Sequence, residues 1–294
     1  MRAAPSMLSR VRSFLDQPDA REHPARALWR RLRWKAHWRL RGGAPIALRE
    51  WWGGLEILLP RSGSAAQVFY RQFSDAAIAR ALEHLLAPGM TVIDVGAHVG
   101  EYALAAARLV GPGGRVVAIE PQPDLCELIR ASARRNGIRW LECHACALAA
   151  SAGRAPFAYD PASRGGWLTG RASPGVSFDV PLQTLSGFCE TRGLAAVDLI
   201  KLDAAGNELA VLEGGASLLA RERAPHLVVK FYHPDVVLER FGHPAEGLRR
   251  RLLDWGYALY EWRPEGPRPF AGKVAGYCTS VIATRAPLSP RPLD

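Results

Sequence analysis

Between Thr91 and Tyr232 short apolar runs alternate with longer runs of helical period. "TVIDV" precedes "HVGEYALAAARLV", and "GRVVAIE" precedes "PDLCELIRASARRNG". "RWLECHAC" follows; then "VDLIKLD" leads into "NELAVLEGGASLLA", with "HLVVKFY" after it. Strands that are apolar along their whole length are buried on both faces, and parallel pairing needs a crossover, which an intervening helix supplies. No other feature constrains the chain as much. It predicts an α/β fold with a mostly parallel sheet covered by helices on both faces. "YALYEW" and "GYCTSVIATR", the latter read as a last edge strand, bring the sheet to seven strands. Residues 150 to 178, rich in Ala, Gly, Ser and Pro, read as a loop excursion with a short strand at "APFAYD".

The first 75 residues follow another pattern and form a basic N-terminal extension and cap, helical and β in content; the α/β domain occupies 76–288. Residues 24 to 40, "PARALWRRLRWKAHWRL", predict a helix with Pro24 in its first turn and Leu28, Leu32, Lys35 and Arg39 on one side. Short strands are expected around Gly53 and Gly54, and a Ser/Gly turn at 62 to 64. "SDAAIARALEHLL" begins a helix capped by Ser74 or Asp75. The net charge of +10 is concentrated at the start, where residues 1 to 45 hold eleven Lys/Arg against three Asp/Glu. Such an arm suits an acidic partner, RNA, an anionic membrane surface or another subunit.

Of the five cysteines, only Cys143 and Cys146 form a CxxC, and it has no second half to complete a zinc site. The odd count argues against a disulfide framework and for a reducing compartment. Nothing approaches 18 uninterrupted apolar residues, and the N-terminus lacks the apolar core of a signal peptide. The expectation is a cytoplasmic protein without an integral membrane segment.

"DVGAHVG", Asp94 to Gly100, occupies the turn after the first buried strand. Gly96 and Gly100 let the backbone pass close to a ligand, and the following helix points free N–H groups into the crevice. The absence of GK[ST] excludes a P-loop. Glu120 ends the second strand, 26 residues after Asp94, where a carboxylate accepts both hydroxyls of an adenine-linked ribose. A nicotinamide dinucleotide would favour GxGxxG, and Asp94 would repel its pyrophosphate. S-adenosyl-L-methionine carries an ammonium and no phosphate, and is the better fit.

"VIDVGAHVGEYALAAARLVGPGGRVVAIEPQPD" and "VDLIKLDAAGNELAVLEGG" together resemble the FkbM family of S-adenosylmethionine-dependent methyltransferases, from about Leu55 to Trp262. The resemblance implies a class I methyltransferase (Rossmann-like) fold. It also implies methyl transfer, usually to oxygen, often in natural-product or glycan assembly. On that pattern Asp94, Gly96, Ala97, Gly100 and Tyr102 line the methionine and ribose side, and Glu120 with Pro121 holds the ribose. His144 and Ala145, within the span Cys143 to Ala147, lie near adenine; Asp203 faces the methionine end or the acceptor. The chain departs from the family where His98 replaces a common Asn, where Ala205 replaces a usual Glu, and where Lys230 stands near a usual acidic strand end. These changes leave the cofactor residues intact and bear on the acceptor. A Lys230–Asp203 ion pair would offset the lost charge.

Methyl transfer from a sulfonium gains mostly from alignment and water exclusion, while an alcohol acceptor must also lose a proton. His233, just after the fifth strand, is the first candidate base and His98 the second, with Asp203 orienting the acceptor or the base. Lys201 is expected to point to the opposite face, as a packing or salt-bridge residue, and Glu208 to cap the next helix or pair with a loop. Residues 160 to 178 form a lid or acceptor loop in which Trp167 covers substrate and Arg164 or Arg171 meets an anionic group; Lys230 also faces the substrate. Nucleic acid is the rival acceptor, disfavoured because "KLDAAG" offers no aromatic platform for a flipped base. A non-catalytic partner protein retaining the fold is a further alternative, and no metal is expected.

Overall fold

The computed structural model describes residues 23–40, 42–169, 176–241, 246–274 and 276–288. The chain divides into two units, Met1–Ser74 and Asp75–Asp294.

In the first unit, helix α1 (Pro24–Leu40) packs Trp34 against Phe69 of α2 (Gly63–Arg71), with ring centroids 5.3 Å apart. Arg30 adds a hydrogen bond from Nη1 to the Tyr70 carbonyl at 2.6 Å. The buried residues of α1 are Ala27 and Trp34, so the side carrying Leu28 and Leu32 faces outward. Strands β1 (Ile46–Leu48) and β2 (Ile57–Leu59) pair antiparallel. The expected Ser/Gly turn at 62 to 64 is instead the start of α2. Ser62 Oγ accepts from the Ala65 N–H at 3.0 Å, and Ala65, Val68 and Phe69 give the segment a buried helical stripe.

In the second unit, α3 (Ala76–Leu85) starts at Asp75, whose carboxylate accepts from the Ala77 N–H at 3.0 Å. The βα units follow as β3 (Thr91–Val95), α4 (Glu101–Val110), β4 (Arg115–Ile119), α5 (Pro123–Arg135) and β5 (Leu141–His144). After a second small sheet come α6 (Leu185–Thr191), β10 (Leu199–Leu202), α7 (Glu208–Glu213), α8 (Ala216–Leu219) and β11 (His226–Tyr232). Helices α9 (Pro234–Phe241) and α10 (Glu246–Asp254) lead to β12 (Ala258–Arg263), β13 (Gly266–Pro269) and β14 (Cys278–Thr284).

The main sheet runs β13-β12-β14-β11-β10-β3-β4-β5, with β11 through β5 parallel. It has eight strands where the sequence predicted seven. The extra one, "GPRP", carries two prolines, which lack ladder donors and are tolerated because β13 is an edge strand. β14, expected at the edge, lies antiparallel between β11 and β12. Successive strands β3, β4 and β5 run outward to one side, and β10 returns to the other side of β3. The β3/β10 boundary is therefore the topological switch point, where the strand C-termini open a crevice.

The excursion at 150 to 178 is largely a second sheet of order β6-β9-β7-β8, made of β6 (Ala147–Leu148), β7 (Gly153–Tyr159), β8 (Gly166–Leu168) and β9 (Val176–Gln183). Phe157, Val180 and Ala147 give it a small core of its own.

Candidate active site

Four strand ends meet at the switch point. Gly96 follows β3 with φ +70°, and a Cβ there would lie 2.0 Å from the Asp203 carbonyl, so only glycine permits this approach of the two loops. Gly100, at φ +82°, caps α4, and a Cβ would come within 2.7 Å of Ile129. Between them His98 also adopts a left-handed backbone, at φ +53°. Its N–H donates to Glu120 Oε2 at 2.8 Å, and the Gln122 N–H donates to Oε1 at 3.0 Å. Gln122 Nε2 also donates to Oε1, at 3.4 Å, so Glu120 is fixed at the end of β4 with a lone pair left on Oε2; burial pushes its carboxyl up to about 7.

Lys201 corrects the sequence expectation. In a strand, residues two apart share a face, so Lys201 lies on the Asp203 side. Its register partner on β3 is Asp94, and Nζ stands 3.0 Å from Asp94 Oδ1, both side chains almost wholly buried. The ammonium also donates to the Gly96 carbonyl at 2.8 Å and lies 5.5 Å from the Tyr102 ring centroid. Burial raises the Asp94 carboxyl above its ordinary range, with Lys201 opposing and Asp203 adding to the shift. Tyr102 is itself buried; its hydroxyl accepts from the Asp75 N–H at 2.9 Å.

Asp203, just past β10, is partly exposed and accepts a 2.5 Å hydrogen bond from the Tyr232 hydroxyl. Burial alone would raise its carboxyl; Lys201, Lys230 and the Tyr232 hydroxyl together hold it below the usual value, so it is ionised at neutral pH. Lys230 does not pair directly with Asp203. Its Nζ lies 3.4 Å from Asp75 Oδ2, which also accepts from Ser280 Oγ at 2.6 Å. Burial would lower the Lys230 ammonium, yet Asp203 and Asp75 carry it above its ordinary value. Glu208, 2% exposed, folds back so that Oε1 accepts from the Ala204 N–H at 2.7 Å and the Gly206 N–H at 3.1 Å. It holds the loop in which Ala205 takes φ +56°, and burial, then Asp203, pushes its carboxyl up to about 8.

The histidines separate. His98 is pushed down to about 4, first by burial and then by Lys201, and is neutral at pH 7. His233 has its Nδ1 3.4 Å from Asp235 Oδ2, while its N–H donates to the Tyr277 carbonyl at 2.9 Å. At the far end of β5, His144 Nε2 lies 3.0 Å from Glu142 Oε2 and its ring packs on Phe188; Ala145 beside it is exposed. Pro121 and Ala97 flank the Glu120 and Gly96 positions, half-buried and buried respectively.

The acceptor-loop residues are dispersed. Trp167 sits half-buried in β8, opposite Ala158. Arg164 pairs with Asp124, and its carbonyl accepts from Gln122 Nε2 at 2.8 Å, so it sits on the Glu120 side. Arg171 lies outside the described residues. Sequence reasoning missed Tyr232, Asp75 and Gln122. The first was legible as the residue two beyond Lys230 on the same strand face. Among the described residues no group of three His, Cys, Asp or Glu side chains gathers to hold a metal ion, and no helix is long and apolar enough to cross a membrane.

The methyltransferase FkbM domain model matches residues 94–259, more than half of the chain and all of the strand ends above. Among curated proteins, the ribosomal protein L11 methyltransferase of Pelotomaculum thermopropionicum is 48% identical over 59 residues, 20% of this chain and 18% of that protein. The protein-L-isoaspartate O-methyltransferase of Aeropyrum pernix is 46% identical over 52 residues, 18% and 20% respectively. The chain thus spans about a fifth of the length of these curated relatives. A solved FkbM methyltransferase from Methylobacillus flagellatus is 16% identical with a TM-score of 0.44, covering 76% of this chain and 56% of that one. The family match falls on the Gly96 loop, the Glu120 strand end and the Asp203 strand end together, and on that ground the chain belongs to the FkbM family of S-adenosylmethionine-dependent methyltransferases.

Proposed function

We propose that this enzyme methylates a hydroxyl oxygen of a small-molecule, natural-product or glycan acceptor, and that the acceptor hydroxyl docks on Asp203. The observation carrying this reading is the Tyr232 hydroxyl. It already donates to Asp203 at 2.5 Å, and Lys201 and Lys230 keep that carboxylate charged.

The cofactor residues fit their role. Asp94 Oδ2, His98 Nε2 and Gln122 Oε1 are buried without hydrogen-bond partners among the described residues. Buried polar atoms are seldom left orphaned, and an ammonium and sugar hydroxyls are the donors these atoms lack. Asp94 with Gly96 and Ala97 would hold the methionine end, Glu120 with Pro121 the ribose, and His144 with Ala145 the adenine. S-adenosylmethionine supplies an electrophilic methyl on a sulfonium. Asp203 orients the acceptor oxygen and receives its proton on a carboxylate oxygen as the methyl–oxygen bond forms. An Asp held this acidic is a positioner first and a weak base second. His233, half-buried just past the C-terminal end of β11, is the next group to carry the proton away. His98 stays neutral and contributes a hydrogen-bond acceptor. Trp167, Arg164, Arg171 and Lys230 are proposed to shape the acceptor side, Lys230 by holding Asp203 ionised.

An odd cysteine count favours a reducing compartment, and we place the enzyme in the cytoplasm. The test uses 13C-methyl S-adenosylmethionine with a panel of sugars, phenols, peptides and oligonucleotides. Carbon NMR of the labelled product should show an O-methyl on a small acceptor, and Asp203→Asn should slow its formation while calorimetry finds S-adenosylhomocysteine binding unchanged. An N-methyl product, or transfer only to oligonucleotides, would overturn the reading.

A further inference from the structure

Helix α1 presents an exposed apolar side among the described residues. Leu28, Trp29, Leu32 and Leu40 are 52%, 59%, 57% and 83% exposed, although the opposite side buries Trp34 and Ala27. At the angular step of an α-helix, these four side chains fall within one sector of about 120°. Exposed Arg33 and Lys35 border that sector and Arg39 lies within it. The helix carries six Lys/Arg and no Asp/Glu. A cavity of about 360 Å³ beside its N-terminal half is lined by His23, Arg26, Arg30 and Arg71, together with Tyr70.

We propose that α1 docks in the plane of an anionic phospholipid surface, with Leu28, Trp29, Leu32 and Leu40 entering the acyl boundary and the flanking cations meeting lipid phosphates. Apolar residues including tryptophan, bordered by Lys and Arg on one helix, are the pattern that binds at such an interface. The long cationic side chains reach out to headgroups while their stems cover apolar surface. The arginine-lined cavity is a second place for a lipid phosphate. A second copy of the chain is the poorer occupant, because it would set two helices of like charge against each other. An RNA backbone would satisfy the arginines but gain nothing from the leucines. The proposal does not rest on the acceptor assignment.

The full chain is pelleted with vesicles of phosphatidylcholine alone and of phosphatidylcholine mixed with phosphatidylglycerol. Binding is expected to the mixed vesicles, falling with added salt. Trp29→Ser with Leu32→Ser should lower the partition coefficient on the order of a hundredfold, and Arg33→Gln or Lys35→Gln about fivefold each. These side chains are exposed, so circular dichroism and S-adenosylhomocysteine binding should not change. The proposal is overturned if the full chain fails to pellet with the mixed vesicles, if it pellets equally with phosphatidylcholine alone, or if the double serine variant pellets undiminished. Light scattering that finds self-association abolished by the serine changes, without vesicle binding, would assign the surface to a second copy instead. Retention of single-stranded RNA that survives those changes, again without vesicle binding, would assign it to nucleic acid.

Discussion

Replacing Lys201 by methionine tests how the strand ends at the switch point are held. At 3.0 Å and an effective dielectric near 20, the attraction between Lys201 and Asp94 is about 5.5 kcal/mol. The hydrogen bond to the Gly96 carbonyl is lost as well. Desolvation offsets most of the gain from forming such a pair, but removing one partner leaves the other charge buried alone, which costs about 3–5 kcal/mol. Lys201→Met should therefore destabilise the second unit by that amount. Asp94→Asn in the same chain should restore a good part of it, because the uncompensated carboxylate is gone. Urea denaturation without cofactor, followed by fluorescence and by circular dichroism, gives the four corners of the cycle; coincident transitions justify a two-state treatment. A loss below about 1 kcal/mol for Lys201→Met, or an additive double variant, would refute the account of a buried, coupled pair.

Gly96→Ala should abolish cofactor binding or folding, since its Cβ would meet the Asp203 carbonyl at 2.0 Å in a left-handed backbone; binding calorimetry that matches the parent would contradict this. Glu120→Ala should weaken S-adenosylhomocysteine by about 2 kcal/mol, roughly thirtyfold, through lost ribose hydrogen bonds and freed His98 and Gln122 amides. Unchanged affinity would sink the ribose assignment. Glu208 sets a pH dependence. Its folded value of about 8 exceeds the ordinary glutamate value of 4.5, so the folded chain keeps a proton that the unfolded chain releases. That contribution is complete below pH 4.5 and is lost as pH rises through about 8. Glu120, at about 7, acts with the same sign. Urea midpoints across this range should fall less steeply in Glu208→Gln than in the parent, and parallel curves would exclude the assignment.

The parallel half of the sheet was legible because β3, β4, β10 and β11 are apolar along most of their length, while β5 alternates with half-buried Glu142 and His144; the glycine turn and Glu120 were legible at the ends of β3 and β4. Other features depended on pairing partners that local pattern does not name. "GYCTSVIATR" reads as an edge strand, yet Val281, Ile282 and Ala283 are fully buried because β14 is flanked on both sides. "GPRP" hides as a strand because its prolines deny it a strand composition. Lys201 was misplaced by an error of phase, since the period of two already set it beside Asp203. Tyr232 passed as core, and only its hydroxyl distance identifies it with the site. The Ser62 cap was ambiguous because serine serves turns and helix starts by the same side-chain hydrogen bond.

The insertion of β14 between β11 and β12 also fixes an order of assembly. Strands β3, β4, β5 and β10, which carry the Gly96, Glu120 and Asp203 ends, are all synthesised before β14 and can pair without it. The hairpin β12–β13 cannot join the sheet until β14 has been made and threaded beside β11. Ser280 then brings its hydroxyl to Asp75, the first residue of this unit, and clasps the cluster that holds Lys230. The parallel strands can therefore pair before β14 has been made, whereas the Lys230–Asp75–Ser280 cluster closes only afterwards. Until then the chain exposes an open edge of β11, the point at which aggregation would begin.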